Sequence, residues 1–114
     1  MLNLRPPQLS SLETSPRDEF RRRLVDELQT RRPRLARQQG AARWRRSIDQ
    51  AESEAWSEGL CEAEPLRAYV EARLVLGARP WPEDLERWLR PGEAAPPIAA
   101  ARFVETAHAR LNST

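Results

Sequence analysis

The chain has one cysteine, one histidine and no lysine. A single cysteine excludes an intrachain disulfide, and one histidine beside it leaves no His/Cys-rich set for a metal. No metal, cofactor or catalytic residue is therefore expected. No apolar run approaches the roughly 18 residues of a membrane-spanning helix, so no membrane partner is expected either. The opening residues, Met1 to Pro7, hold no apolar stretch of signal-peptide length, which sets the expectation of a cytoplasmic protein. Large apolar residues are also scarce: Leu, Val, Ile and Phe make up 22 of the 114 residues. Such poverty borders on the disordered range, but disorder usually also brings a high net charge, and here it is only +2. Sixteen alanines and four tryptophans supply the remaining core material. An Ala-, Arg- and Glu-rich chain with four glycines reads as helical.

Charge is unevenly placed. Residues 1–46 hold 12 Arg against 5 acids, and residues 47–114 hold 7 Arg against 12 acids. Two explanations stand: an acidic partner for the front half, or pairing of the two halves inside one fold. The absence of lysine is most simply a composition effect, although arginine is also the planar, bidentate donor for carboxylate and phosphate.

Proline and glycine divide the chain into one arm and one helical domain. Residues 1–14 form an arm, with Leu2 and Leu4 alternating with polar neighbours in the manner of an extended segment and Pro6-Pro7 stiffening it. Residues 15–114 form a single compact all-α domain of about five helices. Ser15-Pro16-Arg17-Asp18 is a helix start, with Ser15 as N-cap and Pro16 at N1, and the helix runs to about Arg31 before Pro33. Phe20, Leu24, Val25 and Leu28 lie on one face of it. Arg21-Arg22-Arg23 suggests a nucleic-acid patch, but the three point about 100° apart on the helix. Acids at helical spacing, Asp18 and Asp26 for Arg22, Glu19 and Glu27 for Arg23, make a solvated, ion-paired face the simpler reading.

A short turn from Pro33 to Gln38, with Leu35 inward, precedes Gly40. A helix then runs from about Ala41 to Glu58, with Gly59 as its C′ residue. Its inward stripe is Ala41, Trp44, Ile48, Ala51 and Ala55. The next helix, about Glu62 to Leu76, is apolar nearly all round and belongs at the centre of the fold. Cys61 stands at its N-cap position, where a thiol is sometimes activated, yet nothing places the lone histidine beside it. A short helix over Glu83–Arg90 presents Leu85, Trp88 and Leu89 inward, and a last one runs from about Pro97 to Leu111. Its apolar face is Ala100, Phe103, Val104, Ala107 and Leu111, with His108 at the edge as a surface residue.

Four stretches together carry a resemblance. They are Met1-Leu2-Asn3-Leu4-Arg5-Pro6-Pro7-Gln8-Leu9, the Phe20…Leu24 helix ended by Pro33, the run from Gly59 through Tyr69-Val70 to Leu76-Gly77, and a closing helix ending in Ala109-Arg110-Leu111. The layout resembles a family of short helical accessory proteins encoded in bacterial type VI secretion clusters, beside PAAR spike-tip, toxin-effector and larger adaptor genes. Two departures from that pattern are Cys61, where Thr or Ser is usual, and the spacing of Trp81 after Leu76-Gly77. The resemblance implies a non-catalytic adaptor or co-chaperone that binds a larger effector-loading adaptor, a toxin effector or a PAAR spike-tip protein. It supplies no catalytic set and identifies no contact residues.

Candidate partner-binding residues come from the sequence itself. Leu2 and Leu4, with Arg5, are placed to add a strand to a partner's sheet edge, or else to fold back on the chain's own helices. Trp56 lies outside the inward stripe and is either packed on a neighbouring loop or a partner anchor. Trp81, between Pro80 and Pro82, is a second aromatic candidate. Arg31, Arg32, Arg34, Arg37, Arg43, Arg45 and Arg46 keep a nucleic-acid-binding module as an alternative, with steep salt dependence expected. An immunity protein that binds a toxin directly is the other alternative.

Overall fold

The computed structural model describes residues 16–90, 92 and 94–112. The N-terminal arm, with Leu2, Leu4 and Arg5, and the Ser15 cap lie outside these residues. Among the described residues the chain forms six α-helices and no strand: α1 (Pro16–Arg31), α2 (Pro33–Gln39), α3 (Ala41–Ser57), α4 (Ala63–Leu76), α5 (Glu83–Glu86) and α6 (Pro96–Asn112). A 3₁₀ turn, Arg87–Leu89, extends α5. The count exceeds the sequence expectation by one because Pro33–Gln39 is a helix in its own right, with proline opening it and Gly40 closing it.

The breaks follow from backbone chemistry. Gly59 has φ +90°. Its N–H donates to the Trp56 carbonyl (3.0 Å), while the Leu60 N–H donates to that of Ala55 (2.9 Å). That is the Schellman pattern, and Leu60 and Ala55 are both buried beside it. Gly40, between α2 and α3, has φ +83° and ψ 157°, a region open essentially to glycine alone. A Cβ there would meet nothing within 4 Å, so Gly40→Ala tests backbone strain without a clash. We expect a loss of about 1–3 kcal/mol in a urea melt; an unchanged midpoint would mean that the α2–α3 junction adopts another conformation.

Two hydrophobic clusters form the core. The first joins Leu24, Val25 and Leu28 of α1, Ala36 of α2 and Trp44, Ile48 and Ala51 of α3 to Val70 and Leu74 of α4. The second joins Leu66, Ala68 and Tyr69 of α4 to Ala55, Leu60, Leu85, Phe103, Val104 and Ala107. Helix α4 thus contributes to both, as its all-round apolar pattern requires, and Phe20 packs against both. This shared helix makes the domain a single one.

Three local expectations are corrected. Ala41 is exposed, because it stands at the first position of α3, while Glu52 takes the buried place on that face. Ala99 is buried on α6 and Ala100 only partly so. Cys61 is not the N-cap of α4. The carbonyl of Glu62 accepts the first helical bond, from the Leu66 N–H at 3.0 Å, so Glu62 is the cap and the exposed Cys61 precedes it.

Candidate partner-binding surface

Two carboxylates are withdrawn from water, Glu52 at 0% and Glu71 at 2% exposure. Each is met by two arginines of the first helix and its C-terminal end. Glu52 accepts from Arg17 Nε at 2.7 Å and Nη2 at 3.2 Å, and Arg21 Nη2 stands 3.3 Å away. Glu71 accepts from Arg32 Nε at 3.0 Å, with Arg31 Nη2 at 3.4 Å. Arg21 also faces Asp49 at 3.4 Å, without hydrogen-bond alignment. Arg67 and Glu27 tie α4 to α1 at 3.2 Å. Apart from Arg67–Glu27, which runs the other way, these pairs answer part of the charge asymmetry: arginines of the basic front half hold acids of the back half. Glu27 therefore pairs with α4 rather than with Arg23, while Arg23 does meet Glu19, at 3.7 Å.

The front-half arginines that remain lie on α2 and the start of α3. Arg34, Arg37, Arg43, Arg45 and Arg46 are exposed and form no ion pair among the described residues. Trp44, in their midst, is buried, and its Nε1–H donates to the Val25 carbonyl at 3.4 Å. No aromatic face is left among these arginines for a base to stack on.

Trp56 is 36% exposed on the last turn of α3. Its Nε1–H donates to Glu52 at 2.6 Å, and the Arg17 guanidinium lies 4.6 Å from the ring centroid. The indole is thus held from below by a buried carboxylate and covered on one face by a cation. An aromatic fixed in this way loses little freedom on binding, as a partner anchor should. Trp81 is placed differently. It is partly buried, 4.9 Å from the Tyr69 ring and 5.8 Å from that of Phe103, with the Arg73 guanidinium 4.2 Å above it. This ring closes the second core cluster. The two tryptophans thus have different partners, Glu52 and Arg17 for Trp56 and Tyr69, Phe103 and Arg73 for Trp81. Ile98 on α6, 54% exposed, is the other large apolar group left open among the described residues.

Tyr69 donates to Glu54 at 3.4 Å. Burial, followed by the charges of Glu54 and Glu58, pushes its pKa up to about 12. The fold thus favours the protonated phenol. The stability this lends is full below pH 10, the unfolded value, and is lost as pH rises through about 12. As Tyr69 is the sole tyrosine, titration of tyrosinate absorbance in the native protein reads it alone. We expect a midpoint near 12, and a Tyr69→Phe variant that loses the alkaline instability. A midpoint near 10 would place the phenol in water.

His108 is exposed on α6 and Cys61 is exposed before α4. Among the described residues no group of three His, Cys, Asp or Glu is placed to hold a metal, and no helix is long and apolar enough to cross a membrane. The sequence reading missed the two buried carboxylates. A signal was available: Glu71 lies within a helix apolar nearly all round, and a charge there demands a partner. Comparison with protein-family models, with curated proteins and with solved structures returns no match to this chain.

Proposed function

We propose that the protein is a non-catalytic adaptor, or co-chaperone, which binds a larger adaptor or a toxin effector in the cytoplasm and assists its loading onto a PAAR spike tip for type VI secretion. The observation that carries this reading is how the charged groups are used. The carboxylates withdrawn from water, Glu52 and Glu71, act as struts between helices, each clamped by two arginines. What faces outward is suited to binding: five arginines with no ion pair among the described residues, and the exposed part of the Trp56 indole. The resemblance of the sequence to type VI accessory proteins supplies the setting. Deleting the gene is expected to block delivery of one effector encoded beside it while the injection apparatus keeps firing. Unchanged delivery of every neighbouring effector would contradict the proposal.

A second reading, nucleic-acid binding, is favoured by the same five arginines. It requires duplex DNA to bind at micromolar concentration in physiological salt, steeply weaker as salt is added, with loss on changing Arg43, Arg45 and Arg46 to Ala.

A further inference from the structure

Two runs of opposite charge meet on α3. Residues 28–48 hold seven arginines and no acid, and residues 47–66 hold six acids and no arginine. In the basic run, Arg31 and Arg32 hold Glu71, and Arg45 borders a cleft that also contains Asp18, Asp26 and Asp49. Arg43 and Arg46, near the start of α3, are exposed and form no ion pair among the described residues. In the acidic run, Asp49 faces Arg21, Glu52 is held by Arg17 and Arg21, and Glu54 accepts from Tyr69. Glu58, Glu62 and Glu64, at and beyond the end of α3, are exposed and form no ion pair among the described residues. Arg17, the cation over Trp56 at that end, is bound to Glu52.

Helix α3 thus has a cationic start and an anionic end, the reverse of what its own dipole favours. No acid stands in its first turn and no base in its last. Its 17 residues span about 25 Å. Salt screens exposed charges over about 8 Å under physiological conditions, so the two ends of one helix do not neutralise each other. A partner of one sign would answer one end only. A second copy, running antiparallel, supplies the missing sign at both ends at once and sets the two helix dipoles against each other. We propose that two copies of this chain pair antiparallel along the exposed face of α3, Arg43 and Arg46 of each copy facing Glu58 and Glu62 of the other. The two-fold axis then passes midway between Arg46 and Glu58, beside Ser53, which stands opposite the buried stripe of the helix. Gln50, Ser53 and Ser57, exposed and uncharged, place no like charge near that axis. The same patch serves both subunits, so the contact closes on itself. The occupant is identified by complementarity between two surfaces that this one chain displays.

Sedimentation of the full chain alone tests the pairing, and its outcome is independent of the adaptor reading because no other protein is present. One helix face is a small interface, so a weak dimer is expected, with monomer still present at micromolar concentration. Its affinity should fall at least about tenfold between about 0.05 and 0.5 M salt. Arg43→Glu combined with Arg46→Glu, and separately Glu58→Arg combined with Glu62→Arg, should each leave a monomer, since like charges then face each other. On α3 these changes move charge to the ends that the dipole favours, so each variant should keep its full helical circular dichroism. Mixed in equal amounts, the two variants should restore a dimer, because one then shows acids at both ends of α3 and the other arginines at both. A monomer at every salt concentration, association indifferent to salt, a dimer retained by either variant, or no dimer on mixing would overturn the pairing. So would a series of larger species, the mark of an open head-to-tail contact.

Discussion

Changing Arg31 and Arg32 together to Ala is expected to destabilise the protein by about 3–5 kcal/mol, while Glu71→Leu is expected to be close to neutral or stabilising. The asymmetry follows from which charge is left behind. Glu71 is 2% exposed, whereas the side chains of Arg31 and Arg32 are 44% and 25% exposed. Removing the arginines strands a carboxylate in the interior with its desolvation uncompensated. Removing the carboxylate leaves two arginines able to turn into water, and a leucine at position 71 adds apolar surface to a helix already buried on most sides. A marginal stability of roughly 5–15 kcal/mol makes the first change severe. Chemical denaturation of both variants, with matched slopes, checks the pair. Equal losses would mean that the ion pairs contribute through attraction rather than through the cost of a lone buried charge.

The second large effect belongs to Leu74. It is 4% exposed and packs in the first cluster with Leu28, Ile48 and Val70. Leu74→Ala removes three carbons from a site with α1, α3 and α4 around it, and a loss of about 2–5 kcal/mol is expected, depending on how far the helices close in. A thermal melt within a degree or two of the parent would place the core elsewhere.

The helices were legible because the punctuation is strong. Pro16, Pro33, Gly40, Gly59 and Gly77 each stand at a helix boundary, and the spacing of Trp44, Ile48, Ala51 and Ala55 needs a helix to bring them together. Ala41 fits the same spacing and is nevertheless exposed, since it is the first residue of α3, ahead of buried Trp44. The buried charges were less legible. Glu52 pairs with Arg17, 35 positions away, and Glu71 with Arg32, 39 positions away. Helical spacing relates neighbours within about a turn and says nothing of such distances. Of the candidate contact residues, Trp56 emerges with an open edge and Trp81 as a partly buried lid on the second cluster. A proline on either side of Trp81 fixes its backbone but does not indicate that Tyr69 and Phe103 lie beneath the ring.

The proposed function has this chain work by binding protein rather than by catalysis. The most direct measurement is calorimetric titration of the purified protein into the adaptor and the toxin effector that the proposed function places beside it, with a DNA duplex as a parallel titrant in physiological salt. The account predicts a stoichiometric complex with one of the two proteins and no heat from DNA. Saturable binding to DNA with no complex with either protein would contradict it.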